Sequence, residues 1–233
     1  MDAPALRRHV RTSARIAGDR LRRPAFYVRL AKYAAGLTMM GVGLAVMLEA
    51  GIGVGPWAVF HDGIARVTPL TFGQGLVVAG FVIASLAWGA TGERPGPGTV
   101  VNMLTIGPVV DAVRASGAVP TPEGIGLGTA QFLVGIAIIG MGTGAYITAR
   151  FGAGPRDMFM LGLSRRLAIP VRRARTSIEI VVLIVGVAMG GAVGLGTVLF
   201  AVLIGPVVQA TLRLWGPRTA PADGRRGGGP PGS

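Results

Sequence analysis

Three stretches of this 233-residue chain, Val67–Gly92, Gly124–Ala149 and Val181–Leu212, contain no charged residue. A helix rises 1.5 Å per residue, so about 20 apolar residues cross a hydrocarbon core of about 30 Å. Each stretch is long enough to cross at least once. Only 14% of the residues are charged, against about 25% in ordinary soluble domains, which is too few to cover a water-facing surface. With a mean hydropathy of +0.59, the chain is expected to be an all-α integral membrane protein.

The formal charge of +13 suggests nucleic-acid binding until the positions are read. The basic residues crowd into the first 32 positions, between Arg150 and Arg175, and after Leu212. Basic clusters beside apolar blocks follow the positive-inside rule. They lack the interleaved aromatics of a nucleic-acid face, so the bilayer and not nucleic acid is the expected partner. There is no cysteine, which excludes disulfides, thiol catalysis and thiolate metal sites. Asp2, Asp19 and the lack of a cleavage pattern set the Arg-rich start apart from a transit peptide. A single lysine, Lys32, among so many arginines fits a bacterial plasma (inner) membrane protein.

Residues 1–28 read as a basic cytoplasmic segment. It is either a surface helix built on Ala5, Val10, Ile16 and Leu21, lying on anionic headgroups, or a solvated tail. Six spans follow, at about Ala31–Ala50, Phe72–Thr91, Thr99–Ala115, Ile125–Ala149, Thr176–Gly191 and Thr197–Leu214. Residues 216–233 are Gly, Pro and Arg with almost nothing to bury and are expected to be disordered.

The spans fall into two membrane repeats, residues 29–117 and 124–215. Gly36, Gly41, Gly43, Gly53, Gly55, Pro56, Phe60 and Gly63 recur 99 positions later as Gly135, Gly140, Gly142, Gly152, Gly154, Pro155, Phe159 and Gly162. At an offset of 98, GTVVNMLTIGPVV from Gly98 faces GTVLFAVLIGPVV from Gly196, identical at eight of 13 positions. In each copy a long span ends in a Gly-rich turn, then a short segment follows, Pro56–Val67 or Pro155–Leu167. Twelve helical residues reach only about 18 Å, too short to cross. These segments read as half-helices that enter the membrane or lie at its surface.

Three crossings per copy is an odd number, so the second copy must be inverted relative to the first. Charge agrees. Residues 51–71 hold only Asp62 and Arg66, whereas their counterpart after the fourth span is rich in arginine. Six spans then put both termini and the 150–175 segment on the cytoplasmic side. Inverted repeats are a recurrent transporter plan, with sites near the midplane at interrupted helices.

The motif GIGVGPWAVFHDGIA, Gly51–Ala65, followed by PGPGTVVN, Pro95–Asn102, resembles the YczE/YitT-type bacterial membrane proteins. FGAGPRDMFMLGLSRR, Phe151–Arg166, and GLGTVLFAVLIGP, Gly194–Pro206, are similar to the second half of that family. The resemblance covers about residues 35–212 and implies a multi-span plasma-membrane protein without an established general activity. An acidic residue usually follows Pro-Trp in the family pattern. Here that place is Ala58, while the second copy keeps Asp157.

Gly55-Pro56 and Gly154-Pro155 look like helix starts with proline at the first helical position. Exposed N–H groups and the dipole would attract a small anionic group there; a plain surface turn is the alternative. Asp157, at the third helical position, would cap its own helix. Arg156 beside it is either a ligand contact or an interfacial charge, and Trp57 either its counterpart at the site or a membrane-belt anchor. His61 is a proton-linked or ligand-binding group, or a headgroup-level histidine. It forms no dyad with Asp62, because neighbours on a helix do not face each other. Glu179 is either a functional intramembrane acid or a partner of Arg172, Arg173 or Arg175. Asn102 lies within the third span, and Asp111 reads as an end-of-span partner of Arg114. Glycine pairs such as Gly140/Gly144 and Gly186/Gly190 would allow close helix packing, and Pro108 and Pro206 interrupt the third and sixth spans.

No zinc-protease, nucleophile-elbow, dinucleotide or Walker motif is present, so no enzyme, metal or cofactor is expected. The leading expectation is a small-molecule transporter or permease with its site between the repeats. The alternative is a non-transporting membrane partner, an assembly or regulatory subunit, with homo-oligomers as a further mode of association. An enclosed cavity at the repeat interface favours the first, a solid glycine-packed bundle the second.

Overall fold

The computed structural model describes residues 24–92 and 94–215. The expected N-terminal surface helix and disordered C-terminal tail lie outside the described residues. Among the described residues there are eight helices and no strand. They are α1 Pro24–Glu49, α2 Pro56–Val67, α3 Phe72–Thr91, α4 Pro97–Ala115, α5 Ile125–Ala149, α6 Pro155–Arg166, α7 Val171–Ala188 and α8 Leu195–Trp215.

Each expected span is a helix, and so is each short segment. α3 and α5 have the expected bounds, while α1 and α7 start earlier than Ala31 and Thr176. The extra turns carry Arg29 in α1 and Arg172, Arg173 and Arg175 in α7: charge ends the apolar stripe without ending the helix. α7 stops at Ala188, and Gly190 just beyond it has a φ of +84°. By length and composition four helices can cross a membrane, α1, α3, α5 and α8. α4 and α7 have 19 and 18 residues, but α4 contains Asn102, Asp111 and Arg114, and α7 contains three arginines and Glu179. Large apolar side chains face outward, among them Phe81 and Leu86 on α3, Ile184 on α7 and Val202 on α8. Such a surface suits lipid better than water.

α1 and α5 form the centre of the bundle. A Cβ on Gly36 would lie 2.8 Å from the carbonyl oxygen of Gly142, and one on Gly43 would lie 2.8 Å from that of Gly135. Numbers rise along one helix as they fall along the other, so the two cross antiparallel, with backbones close enough that only glycine fits at the crossing. Gly140 and Gly144 receive α8 against Val207 and Thr211, and the Thr211 hydroxyl donates to Gly140 O at 2.8 Å. Tyr33, Leu37, Val59, Val110 and Tyr146 fill the core around the crossing.

The short helices pack across the molecule. α2 lies on α7, and α6 lies on α3. Gly63 and Gly186 bring α2 and α7 together: a Cβ on Gly63 would be 2.8 Å from Gly186 O. Both ends of the segment containing α2 are tied to the last turns of α4. Before it, Glu49 pairs with Arg114 at 2.7 Å. After it, Gly73 N–H donates to Asp111 at 2.9 Å, and the Thr71 hydroxyl also donates to Asp111. Asp111 and Arg114 therefore do not pair with each other, as the sequence suggested. Asp111 instead reinforces the Thr71–Gln74 capping box that starts α3.

At the opposite end of α1, Arg29 donates to the C-terminal carbonyls of α5, at Ala149 O (2.8 Å) and Arg150 O (3.2 Å). Lys32 donates to Trp215 O at the end of α8, 3.3 Å away. Cations on helix C-termini oppose the negative end of the dipole.

Candidate functional site

Both Gly-Pro sequences begin a twelve-residue helix from an extended residue, Gly55 (φ −65°, ψ 162°) and Gly154 (φ −64°, ψ 164°). Neither start has a side-chain cap, so the first backbone N–H groups remain open. The strands of chain leading in are held from the other half. The Thr99 hydroxyl of α4 donates to Ala153 O, and the Thr197 hydroxyl of α8 donates to Val54 O, each at 2.8 Å. Gly98 and Gly196 let these contacts form, because a Cβ on either would collide with the carbonyl of Phe151 or Gly53.

Between the two starts lies a cavity of about 360 Å³. All eight helices contribute to its wall. Of the residues singled out from sequence, Gly55, Trp57, His61, Asn102, Gly154, Pro155, Arg156 and Asp157 line it. Pro56 is buried in the first turn of α2 without lining it. Glu179 lies outside it and pairs with Arg175 at 2.9 Å, while the Arg175 side chain reaches the cavity wall. Among the described residues no group of His, Asp and Glu side chains is placed to hold a metal ion.

Trp57 is 8% exposed and sits under the Arg156 guanidinium, 5.9 Å from the ring centroid. It is a cavity wall and not a belt anchor. Asp157 does not cap α6: its Oδ2 accepts from the Tyr146 hydroxyl at 2.5 Å, and its Oδ1 lies 3.8 Å from Arg156 Nε. His61 is 8% exposed and packed against Trp57, Phe60 and Phe72, with centroids 5.8–6.3 Å apart. That places it at the cavity wall. Asp62 points elsewhere, to Arg66 at 2.9 Å and to Ala192 N–H at 2.8 Å. Asn102 is 7% exposed and lies beside the second start, where a Cβ on Gly154 would meet its Oδ1 at 3.3 Å. Neither Asn102 nor His61 hydrogen-bonds another described residue through its side chain, and among the described residues no fully buried side-chain N or O lacks a partner. Their polar atoms are therefore not fully buried, and both residues line the cavity.

Two residues of the site were not singled out from sequence. Tyr146 holds Asp157, and Phe200 covers the first start: a Cβ on Gly55 would come within 2.6–2.8 Å of its ring. Both were findable from the offsets. Phe200 aligns with Asn102 at 98, and Tyr146 with Met47 at 99, so each is a place where the two halves differ in polarity.

The fold defines a helical membrane protein, with a cavity between its two Gly-Pro helix starts. The family model that matches, over residues 27–213, is that of DUF6198, a family of unknown function, and the chain belongs to that family. It is 36% identical over 184 residues to an uncharacterized protein of Haemophilus influenzae, covering 76% of this chain and 80% of that one. It is 32% identical over 182 residues to the uncharacterized membrane protein YczE of Bacillus subtilis, covering 77% and 83%. The resemblance to YczE-type proteins read from the two Gly-Pro motifs is thereby established. No solved structure matches the chain.

Proposed function

We propose that this protein is a permease-type transporter of a small organic molecule, which it holds by an anionic group between its two halves at the start of α6. The observation that carries the reading is the cavity itself. It joins both open helix starts, and about 360 Å³ falls in the range of small-molecule sites. A solid bundle would have favoured the alternative of a non-transporting partner. Arg156 and the α6 backbone N–H groups supply charge-assisted and dipolar contacts for a carboxylate or phosphate.

In this reading the chain spans a bacterial plasma membrane six times, as two inverted three-span repeats with cytoplasmic termini. The antiparallel crossing of α1 and α5, which align at an offset of 99, supports inversion. The anchoring of both ends of the α2 segment to the last turns of α4 supports a re-entrant α2. Arg29, Lys32 and Arg150, gathered at one end of α1, α5 and α8, support a cytoplasmic assignment for that end. α4 and α7 complete the count of spans.

The test is uptake by proteoliposomes of purified protein, offered a panel of labelled monocarboxylates, amino acids and inorganic phosphate. Accumulation of at least one compound above protein-free vesicles, abolished by Arg156→Ala, is expected. Uptake unaffected by Arg156→Ala, or no uptake of any compound in the panel, contradicts the proposal.

A further inference from the structure

We infer that the molecule bound in this cavity is a zwitterion with an apolar body, on the pattern of an α-amino acid with a hydrocarbon side chain. The inference rests on the proposed site and names its substrate class. Three charged side chains line the polar end of the cavity, and a fourth, Glu179, lies just outside it, paired with Arg175. Arg156 and Asp157 come from α6, and Arg175 and Glu179 from α7. Their charges sum to zero. A ligand with a net charge would leave one charge at the site unmatched. A ligand carrying one charge of each sign leaves the sum at zero.

The two pairs differ in how closed they are. Arg175 and Glu179 meet at 2.9 Å, a direct charge-assisted hydrogen bond. Arg156 and Asp157 stay 3.8 Å apart, at the outer edge of an ion pair, and Asp157 is held by Tyr146 on its other oxygen. This open pair sets one cation and one anion side by side, as an α-amino acid sets its own two charges. The ligand carboxylate then faces Arg156 and the uncapped N–H groups of α6, and its ammonium faces Asp157. Asn102 is the independent sign that a polar head belongs here. It is 7% exposed, lies against Gly154, and makes no side-chain hydrogen bond to a described residue. Its amide atoms are not fully buried, so they are open to the polar head of a ligand.

Much of the remaining wall is hydrocarbon, from Met40, Leu44, Ile106, Ile139 and Ile204 with Phe200 across the first start, and His61, Thr143 and Gln209 also line it. These apolar surfaces match the body of the ligand. Alignment sharpens the division. Asn102, Arg156, Asp157 and Tyr146 correspond at offsets of 98 or 99 to Phe200, Trp57, Ala58 and Met47. One half supplies a polar end and the other its apolar equivalent.

The experiment measures binding to the purified full-length protein by calorimetry, supported by thermal shift, with two matched trios. The first is leucine, 4-methylpentanoate and 3-methylbutylamine. The second is phenylalanine, 3-phenylpropanoate and phenethylamine. At least one amino acid should bind, with both of its analogues weaker by about tenfold or more, equivalent to about 1.4 kcal/mol. Asp157→Asn should bring the carboxylate level with its amino acid, and Arg156→Gln should do the same for the amine. Where Asp157→Asn does not fold, Asp157→Glu keeps the charge and should keep the preference. A carboxylate that binds as tightly as its amino acid overturns the inference and leaves the anion site standing. An amine that binds best overturns both. Binding by none of the six overturns the inference, and the uptake of a different anion would still uphold the proposed function.

Discussion

The starts of α2 and α6 have nearly the same backbone and opposite chemistry. Gly55 and Gly154 differ by no more than 2° in φ and ψ, each precedes proline and a twelve-residue helix, and each is steadied by a threonine hydroxyl of the other half at 2.8 Å. Around Gly154 stand Arg156, Asp157, Asn102 and Tyr146; around Gly55 stand Trp57, Ala58, Phe200 and Met47. The shared part is what the fold needs: an extended glycine with room beside it, and a proline that starts the helix without a missing donor. The differing part is what a ligand would meet. An asymmetric ligand is therefore better matched than one with two equal ends.

The largest contrast should come from the first side chain after each proline. Arg156→Ala should lower uptake by about ten- to a hundredfold, since a charge-assisted hydrogen bond contributes about 1.5–3 kcal/mol, with normal amounts of protein in the membrane. Trp57→Ala should lower it less. Complementation of a deletion strain at matched expression, or proteoliposome uptake, measures both. Full activity of Arg156→Ala would reduce that residue to an orientation charge.

Stability should rank the two starts the other way. A methyl on Gly55 would press within 2.6–2.8 Å of the Phe200 ring, whereas one on Gly154 would lie 3.3 Å from the Asn102 oxygen. Gly55→Ala should cost about 1–3 kcal/mol, as overpacking does, and Phe200→Leu should recover part of it. Gly154→Ala should cost less. Thermal unfolding in detergent reads both, and equal losses would mean that the two starts are equally crowded.

A smaller effect belongs to the link between Asp157 and Tyr146, which Ala58 and Met47 lack. Tyr146→Phe and Asp157→Ala should each lose about 1 kcal/mol, the usual worth of one hydrogen bond. The double variant should lose less than the sum, because both remove the same contact. Additive losses would show that the 2.5 Å contact contributes nothing.

Most of the helices were legible in the sequence because apolar length and Gly-Pro punctuation are local signals. Pro56 and Pro155 started α2 and α6 where expected. The family was legible in the two Gly-Pro motifs. The beginnings of α1 and α7 were not, because a helix runs on through arginines once water or headgroups receive them. The site was legible in part. Matching glycines marked both starts, but which side chain crosses to which start depends on tertiary packing. Thus Asp157 looked like a cap until Tyr146 took its carboxylate, and Asp111 looked like the partner of Arg114 until Thr71 and Gly73 claimed it. For Glu179 the sequence left a functional acid and a partner of Arg172, Arg173 or Arg175 open, and the fold pairs it with Arg175, one helical turn away.

All of this depends on α2 and α6 turning back inside the membrane, so that their starts meet at one depth. The natural absence of cysteine permits a clean measurement with a membrane-impermeant thiol reagent on single-cysteine variants in intact cells. Ser116, just past α4, should lie outside, and Arg166, at the end of α6, inside. Ser116→Cys should therefore label without permeabilisation, and Arg166→Cys only after it. Labelling of Ser116→Cys only after permeabilisation would contradict the re-entrant α2 and the inverted six-span arrangement.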